Sequence, residues 1–200
     1  MTPRIIVIEG TEATGTTTHV RDLAAALRAQ GYAVYPFHHE RPTDATAHAR
    51  ALDYATQRSV IADMAAGDWR YIILADRWWH TAHVEALLAT DDRPGLLALA
   101  QAEALLLPVP LLVAVLTAED ATLDARMILR GETPTDADRA RRVLYRECSA
   151  PGGVWHSDEH QRTRDGTPPP LHVVSTDRPR ADVAADLLAL ALALALRVLA

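Results

Sequence analysis

The sequence predicts an α/β protein in which five strands alternate with helices to form a parallel sheet. Three observations carry that expectation. Short apolar runs are bounded by turn residues, the stretches between them repeat apolar residues at helical spacing, and the run over 71–75 is apolar at every position. A strand that is apolar throughout is covered on both faces. At 200 residues the chain fits one domain over 1–200 with a sizeable core. No internal repeat or second domain is evident.

The first strand, Ile5 to Ile8, runs into Glu9-Gly10-Thr11-Glu12-Ala13-Thr14-Gly15-Thr16-Thr17-Thr18. Gly10 and Gly15 stand at the glycine spacing of G-x-x-x-x-G-K-[ST], a loop whose backbone N–H groups wrap a polyphosphate at a helix N-terminus. Thr17 stands where the Mg²⁺-ligating hydroxyl belongs, and Thr16 where the Lys belongs. The amide cradle survives that change; the point charge that bridges the β- and γ-phosphates does not. The chain contains no Lys, and all 20 of its basic residues are Arg, so any cation aimed at phosphates must be a guanidinium.

A helix from about Thr17 to Gln30 follows, with Val20, Leu23, Ala24 and Leu27 on one face, and Gly31 stops it. Strand 2, Ala33 to Phe37, delivers the polar segment His38-His39-Glu40-Arg41-Pro42-Thr43-Asp44 to the carboxyl end of the sheet, where ligands of such sheets bind. A helical stretch from about Ala45 to Ala66, broken near Asp53, carries Tyr54 and Arg58 on one face. Strand 3, Tyr71 to Ala75, ends in Asp76-Arg77-Trp78-Trp79. Two adjacent Trp at a helix start cannot share a face, so one packs inward and the other is free to close over a ligand.

Helices from about Trp79 to Ala89 and Pro94 to Leu106 precede strand 4, Leu111 to Leu116. A helix over Glu119 to Leu129, a polar turn over Arg130 to Thr135 and an Arg-rich helix over Ala137 to Glu147 come next. Ser149 to Pro170 is rich in Gly, Pro and charge with no period and reads as a loop. Strand 5, Leu171 to Ser175, and a closing helix, Arg180 to Leu199, complete the fold; the apolar run Leu187 to Leu196 reads as a buried final helix. Ten residues fall short of the roughly 20 that span a bilayer.

A net charge of −6 gives no general attraction to nucleic acid or anionic lipid. The single Cys148 excludes an internal disulfide and a Cys-based metal cluster, which suits a reducing cytosol. With no signal-peptide pattern at the start, a cytoplasmic location is expected. The nine histidines offer no metal-ligand spacing beyond the adjacent His38-His39 and the pair His80 and His83, and loop or helix-surface positions suit them. His19, in the first turn of helix 1, could hydrogen-bond near the phosphates as a neutral ring.

Taken in order, the loop, the Glu40-Arg41 segment, the Tyr54/Arg58 helix and Asp76-Arg77 resemble the thymidylate kinase family of P-loop nucleoside monophosphate kinases. The resemblance runs almost end to end and is weakest between Cys148 and Pro170. It implies a three-layer P-loop kinase fold with helices on both faces of a five-stranded parallel sheet. It also implies transfer of the ATP γ-phosphate to dTMP or a modified nucleotide with Mg²⁺, in a homodimer with no nucleic-acid or membrane partner.

Residue by residue, it implies that Gly10, Thr14, Gly15, Thr16, Thr17 and Thr18 hold ATP and that Thr17 and Asp76 serve the metal. Arg41 then grips the acceptor phosphate, Tyr54 stacks on the base, Arg58 reads a base carbonyl and Trp78 borders the acceptor. Arg77 serves the transferring phosphate, Glu12 faces the acceptor sugar, Arg126 contacts adenine, and Arg130, in a lid over about 130–142, supplies the catalytic charge, with Arg139, Arg141 and Arg142 nearby. Read without the resemblance, the same residues also fit a glycine-containing turn, surface arginines and a packed tyrosine. Thr16, Ala86 in place of a base-reading Gln, and Thr117 in place of an acidic residue depart from the family's pattern. They leave two alternatives open: a phosphohydrolase of a biosynthetic pathway, and a nucleotide-binding pseudokinase.

Overall fold

Parallel strands need long crossovers, and helices fill them. The computed structural model describes residues 4–38, 71–89, 93–98, 112–157 and 170–197. Its strands are β1 (Arg4–Gly10), β2 (Val34–His38), β3 (Ile72–Asp76), β4 (Leu112–Thr117) and β5 (Leu171–Ser175). Its helices are α1 (Thr16–Ala29), α2 (Trp79–Leu88), α3 (Asp120–Leu129), α4 (Asp136–Ser149), α5 (Val154–Ser157) and α6 (Arg180–Arg197), with residues 93–98 also helical.

The five strands form one sheet in the order β2-β3-β1-β4-β5, parallel at every pairing. Successive side chains of β1 divide between two cores, as the strand period of 2 requires. Ile6 and Ile8 meet Leu23 and Leu27 of α1 and Val183 and Leu187 of α6 on one face. Ile5 and Val7 meet Trp79 and Val84 of α2, Tyr145 of α4 and Trp155 on the other. The result is a three-layer α/β fold with helices on both faces of the sheet.

From β1 the chain turns to the β3 and β2 side, then returns to β4 on the opposite side. The carboxyl end of β1 therefore lies where the strand order reverses, which is where such sheets open a crevice. The chain's loop of glycines and threonines occupies that position.

Two expectations change. The stretch expected as a loop from Ser149 begins as the last residue of α4 and then forms the single turn α5. Trp155 anchors that turn, edge-on to Tyr145 at 5.3 Å and to His80 at 4.8 Å, with its Nε1–H donating to His83 Nδ1 at 3.2 Å. Gly153 permits the approach, because a Cβ there would collide with the carbonyls of Glu147 and Cys148. The final helix, expected to be buried, is so in part: among its described side chains Val183, Leu187 and Ala191 are fully buried, Leu188, Leu190 and Leu192 pack partly buried beside them, and Ala189 is exposed. Among the described residues it packs chiefly on α1 and β4, which cover one face of it. Among the described residues no helix is long and apolar enough to cross a membrane.

Candidate active site

The two loop glycines are needed for different reasons. A Cβ on Gly10 would stand 2.5 Å from Thr14 Oγ1 and 3.0 Å from the Leu116 carbonyl, so close packing against β4 demands glycine. Gly15 has φ 88°, the left-handed region that glycine enters at little cost. Gly15 precedes α1, whose start has no side-chain cap and no acidic residue in its first turn. The first N–H groups of α1 therefore have no N-cap side chain to accept from them, and the helix dipole favours an anion there.

The loop threonines diverge. Thr14 is buried and its hydroxyl donates to the Thr11 carbonyl at 2.8 Å, which closes the loop on itself. Thr16 is also buried, and its methyl packs toward Gly10, so a short uncharged side chain stands where a Lys would reach. Thr17 is exposed, and its hydroxyl donates to Asp76 Oδ2 at 2.6 Å. Fifty-nine residues separate this pair; the β1–β3 pairing brings them together.

Asp76 closes β3 and is 1% exposed. Its Oδ2 also lies 2.6 Å from His38 Nδ1, while Oδ1 is buried with no hydrogen-bond partner among the described residues. A buried carboxylate oxygen without a donor is costly unless something else satisfies it. Asp76 and the Thr17 hydroxyl are hard oxygen donors of the kind that hold Mg²⁺ beside phosphates. The residues present fit a divalent cation at this point.

Arg77 follows in the left-handed region, φ 76°, and Ala13 across the crevice has φ 63°. Non-glycine residues held there cost of order 1 kcal/mol and cluster at functional sites. The Arg77 turn is pinned from both sides. Its own N–H donates to the Ile8 carbonyl at 2.9 Å, and the next N–H, of Trp78, donates to Glu9 Oε1 at 2.5 Å.

Glu9 is fully buried at the end of β1 and has no role in the sequence reading. It also accepts from the Thr81 hydroxyl at 2.7 Å and from Tyr145 Oη at 3.0 Å, with His80 Nδ1 at 3.6 Å. Burial alone would raise its pKa. The His80 imidazole, the Thr81 hydroxyl and the Arg77 charge together outweigh that and hold the carboxyl below its ordinary range. A carboxylate ending a strand covered on both faces was the available signal for it.

Among the described residues Trp78 packs in the core rather than lining a cleft. Trp78 and Trp79 are 1% and 2% exposed, and both enter the core under α2. Trp78 is the extended residue before the helix (φ −145°, ψ −162°) and Trp79 is its first helical residue, so the divergence of adjacent helical side chains does not apply.

Arginines ring the crevice. Arg126 reaches from α3 to donate to the Ala13 carbonyl at 3.2 Å and to the Thr176 hydroxyl and carbonyl at 2.9 and 2.6 Å, tying the loop to the end of β5. Arg130 borders the crevice opposite Thr16 and Thr17, paired with Glu132 at 2.8 Å. Arg141 joins Glu85 at 2.8 Å, Asp138 at 3.0 Å and Glu12 at 3.5 Å, and Glu12 lies 4.0 Å from Arg77. Burial lowers the Arg141 pKa, and the charges of Glu12, Glu85 and Asp138 more than reverse that, so it stays charged. Arg139 pairs with Asp136, and Arg142 lies buried against Asp124.

The crevice has two lobes of about 250 Å³ each. One holds Glu12, Thr16, Thr17, Arg77 and Arg130; the other holds Gly15, His19, Arg126 and Thr176; Thr18 borders both. His19 is buried, and desolvation outweighs the Asp22 charge to lower its pKa, so the ring is neutral. Burial pushes the Cys148 thiol up to about 11, away from the thiolate form in which a cysteine reacts. Arg41, Tyr54 and Arg58 lie outside the described residues.

No protein-family model matches the chain, and no curated protein matches it at a significant level. The fold and the site geometry stand by themselves: a three-layer α/β protein with a glycine-bracketed loop at the reversal point of its sheet.

Proposed function

We propose that this protein is a thymidylate kinase-like phosphotransferase that moves the γ-phosphate of ATP to dTMP or a modified nucleoside monophosphate. The observation that carries the reading is the contact of Thr17 with Asp76 Oδ2, at the mouth of a loop whose glycines leave an uncapped helix N-terminus open to an anion. Phosphoryl transfer asks a protein chiefly for positioning and charge neutralisation. The amide groups of 10–17 would hold the donor phosphates, and Thr17 and Asp76 would hold a divalent cation, Mg²⁺ by the resemblance. That cation supplies neutralisation of the phosphate charge.

Arg126, anchored by Thr176, leaves its guanidinium plane in the lobe suited to a base. Arg77 and Glu12 border the other lobe, and the exposed Arg130 lines that lobe together with Thr16, where the Lys is missing. Release of Arg130 from Glu132 would let it serve the transferring phosphate, since an exposed ion pair is worth at most about 1 kcal/mol.

A second reading, a nucleotide-binding protein without turnover, is favoured by the uncharged Thr16 at the Lys position and by the carboxylates that engage Arg130, Arg139 and Arg141. Mass-resolved product analysis separates the readings, with Mg²⁺, ATP and a panel of nucleoside monophosphates, alongside controls lacking acceptor or ATP. The kinase reading expects a diphosphate from one acceptor. Loss of phosphate from a monophosphate without ATP identifies a hydrolase, and binding without any product identifies the inactive nucleotide-binding protein.

A further inference from the structure

We propose that His38 is a direct nitrogen ligand of the cation held by Thr17 and Asp76, so that this site takes a divalent transition metal such as Mn²⁺ more tightly than Mg²⁺. The inference rests on the reading above that Thr17 and Asp76 are cation donors.

Topology places the ring there. β3 lies between β1 and β2, and the parallel β2–β3 register pairs His38 with Asp76. Residues paired across neighbouring strands project to the same side of the sheet at a spacing near 5 Å. At the carboxyl end of the sheet Asp76 is therefore flanked by Thr17 from the β1 side and His38 from the β2 side. Both approach the same oxygen: Thr17 Oγ1 and His38 Nδ1 each lie 2.6 Å from Asp76 Oδ2. In a six-coordinate site with bonds of about 2.1 Å, neighbouring donor atoms stand about 3 Å apart. Each of these two donor pairs, Thr17 with Asp76 and His38 with Asp76, thus needs to separate by only a few tenths of an ångström to occupy neighbouring positions of an octahedron.

A second observation points independently to a missing occupant. Asp76 Oδ1 is buried and lacks a hydrogen-bond partner among the described residues. The His38 side chain is 52% exposed, so its ring can adjust to a ligand without disturbing the core.

The donor set decides the metal. Mg²⁺ prefers all-oxygen surroundings and sheds water reluctantly, whereas imidazole nitrogen suits first-row transition metals. A hydroxyl, a carboxylate and an imidazole make a mixed O/O/N face, which is the poorer choice for Mg²⁺.

The test is titration of Mn²⁺ alone into the full chain, read from the electron paramagnetic resonance of free Mn²⁺, with pulsed spectra of the bound ion to detect directly coordinated nitrogen. The expected result is a site that Asp76→Asn removes, that binds Mn²⁺ at least tenfold more tightly than competing Mg²⁺, and that shows nitrogen coupling. His38→Ala and His38→Gln are expected to abolish the coupling and weaken Mn²⁺ binding about tenfold while Mg²⁺ binding changes little. Circular dichroism checks that both variants fold, and ¹⁵N-histidine labelling of the wild type identifies the coupled nucleus. An Asp76-dependent Mn²⁺ site without nitrogen coupling, or with coupling that survives both His38 variants, overturns the proposal and leaves the Thr17/Asp76 reading standing. Mn²⁺ and Mg²⁺ binding that is absent, or indifferent to Asp76→Asn, overturns both.

Discussion

Truncating Glu9 tests how the Arg77 turn is held. The carboxylate is fully buried and accepts from the Trp78 N–H, the Thr81 hydroxyl and the Tyr145 hydroxyl. In Glu9→Ala the two hydroxyls keep each other, since Thr81 Oγ1 and Tyr145 Oη are already 2.6 Å apart. One hydroxyl proton and the Trp78 N–H are left without an acceptor. Each buried orphan costs roughly 1–3 kcal/mol, and the cavity adds to this. A loss of about 4 kcal/mol follows, the scale at which breaking a buried charged network is measured. For a chain of this length that is a fall of roughly 10 °C in melting temperature. Tyr145→Phe removes one donor and leaves Thr81 in place, so it should cost only about 1 kcal/mol. Urea unfolding followed by tryptophan fluorescence is the assay, because Trp78, Trp79 and Trp155 share the core that Glu9 abuts. A Glu9→Ala variant within about 1 kcal/mol of wild type would refute the claim that this carboxylate pins the turn.

The same group sets a pH dependence. Because the folded-state pKa of Glu9 is lowered from 4.5, its contribution is fully present above 4.5 and is lost as pH falls below it. The stability gap between wild type and Glu9→Ala should therefore narrow in urea titrations run at progressively lower pH in that range; a gap that widens contradicts the assignment. Gly15→Ala puts a Cβ on a residue with φ 88° whose surroundings leave room, the nearest atom being His19 Cδ2 at 3.5 Å. It should cost about 1–2 kcal/mol through the backbone alone and weaken ATP binding, both readable by thermal shift. Thr16→Lys restores the missing charge and should raise transfer roughly a hundredfold, the scale of one preorganised charge-stabilising group, in the product assay; an unchanged rate would place the defect elsewhere.

Much of the framework was legible in residue patterns. The β-branched run before Gly10, the uninterrupted apolar strand before Asp76 and the turn residues at Gly31 and Arg130-Gly131 mark elements whose observed limits shift by about one or two residues. The glycine spacing located the loop. Side-chain fates that depend on long-range pairing were not legible. Alternation of strands and helices does not give their order, so nothing local shows that His38 and Thr17 flank Asp76. Periodicity assumes helical geometry at both Trp78 and Trp79, and the extended conformation of Trp78 defeats it. Glu9 looks like a polar strand end until Trp78, Thr81 and Tyr145, far off in sequence, supply its donors. Thr16 reads as a substitution in a motif; only the structure shows its methyl packed toward Gly10.

The central claim is that the loop from Gly10 to Thr17, with Asp76, holds a nucleotide polyphosphate and its cation. Calorimetric titration of ATP into the wild type and Asp76→Asn, each with and without a divalent cation, tests it most directly. The account predicts a single ATP site per chain that the cation tightens, and loss of that tightening in Asp76→Asn with residual metal-free binding intact. Absence of ATP binding at millimolar concentration, or binding indifferent to both the cation and Asp76, would contradict it.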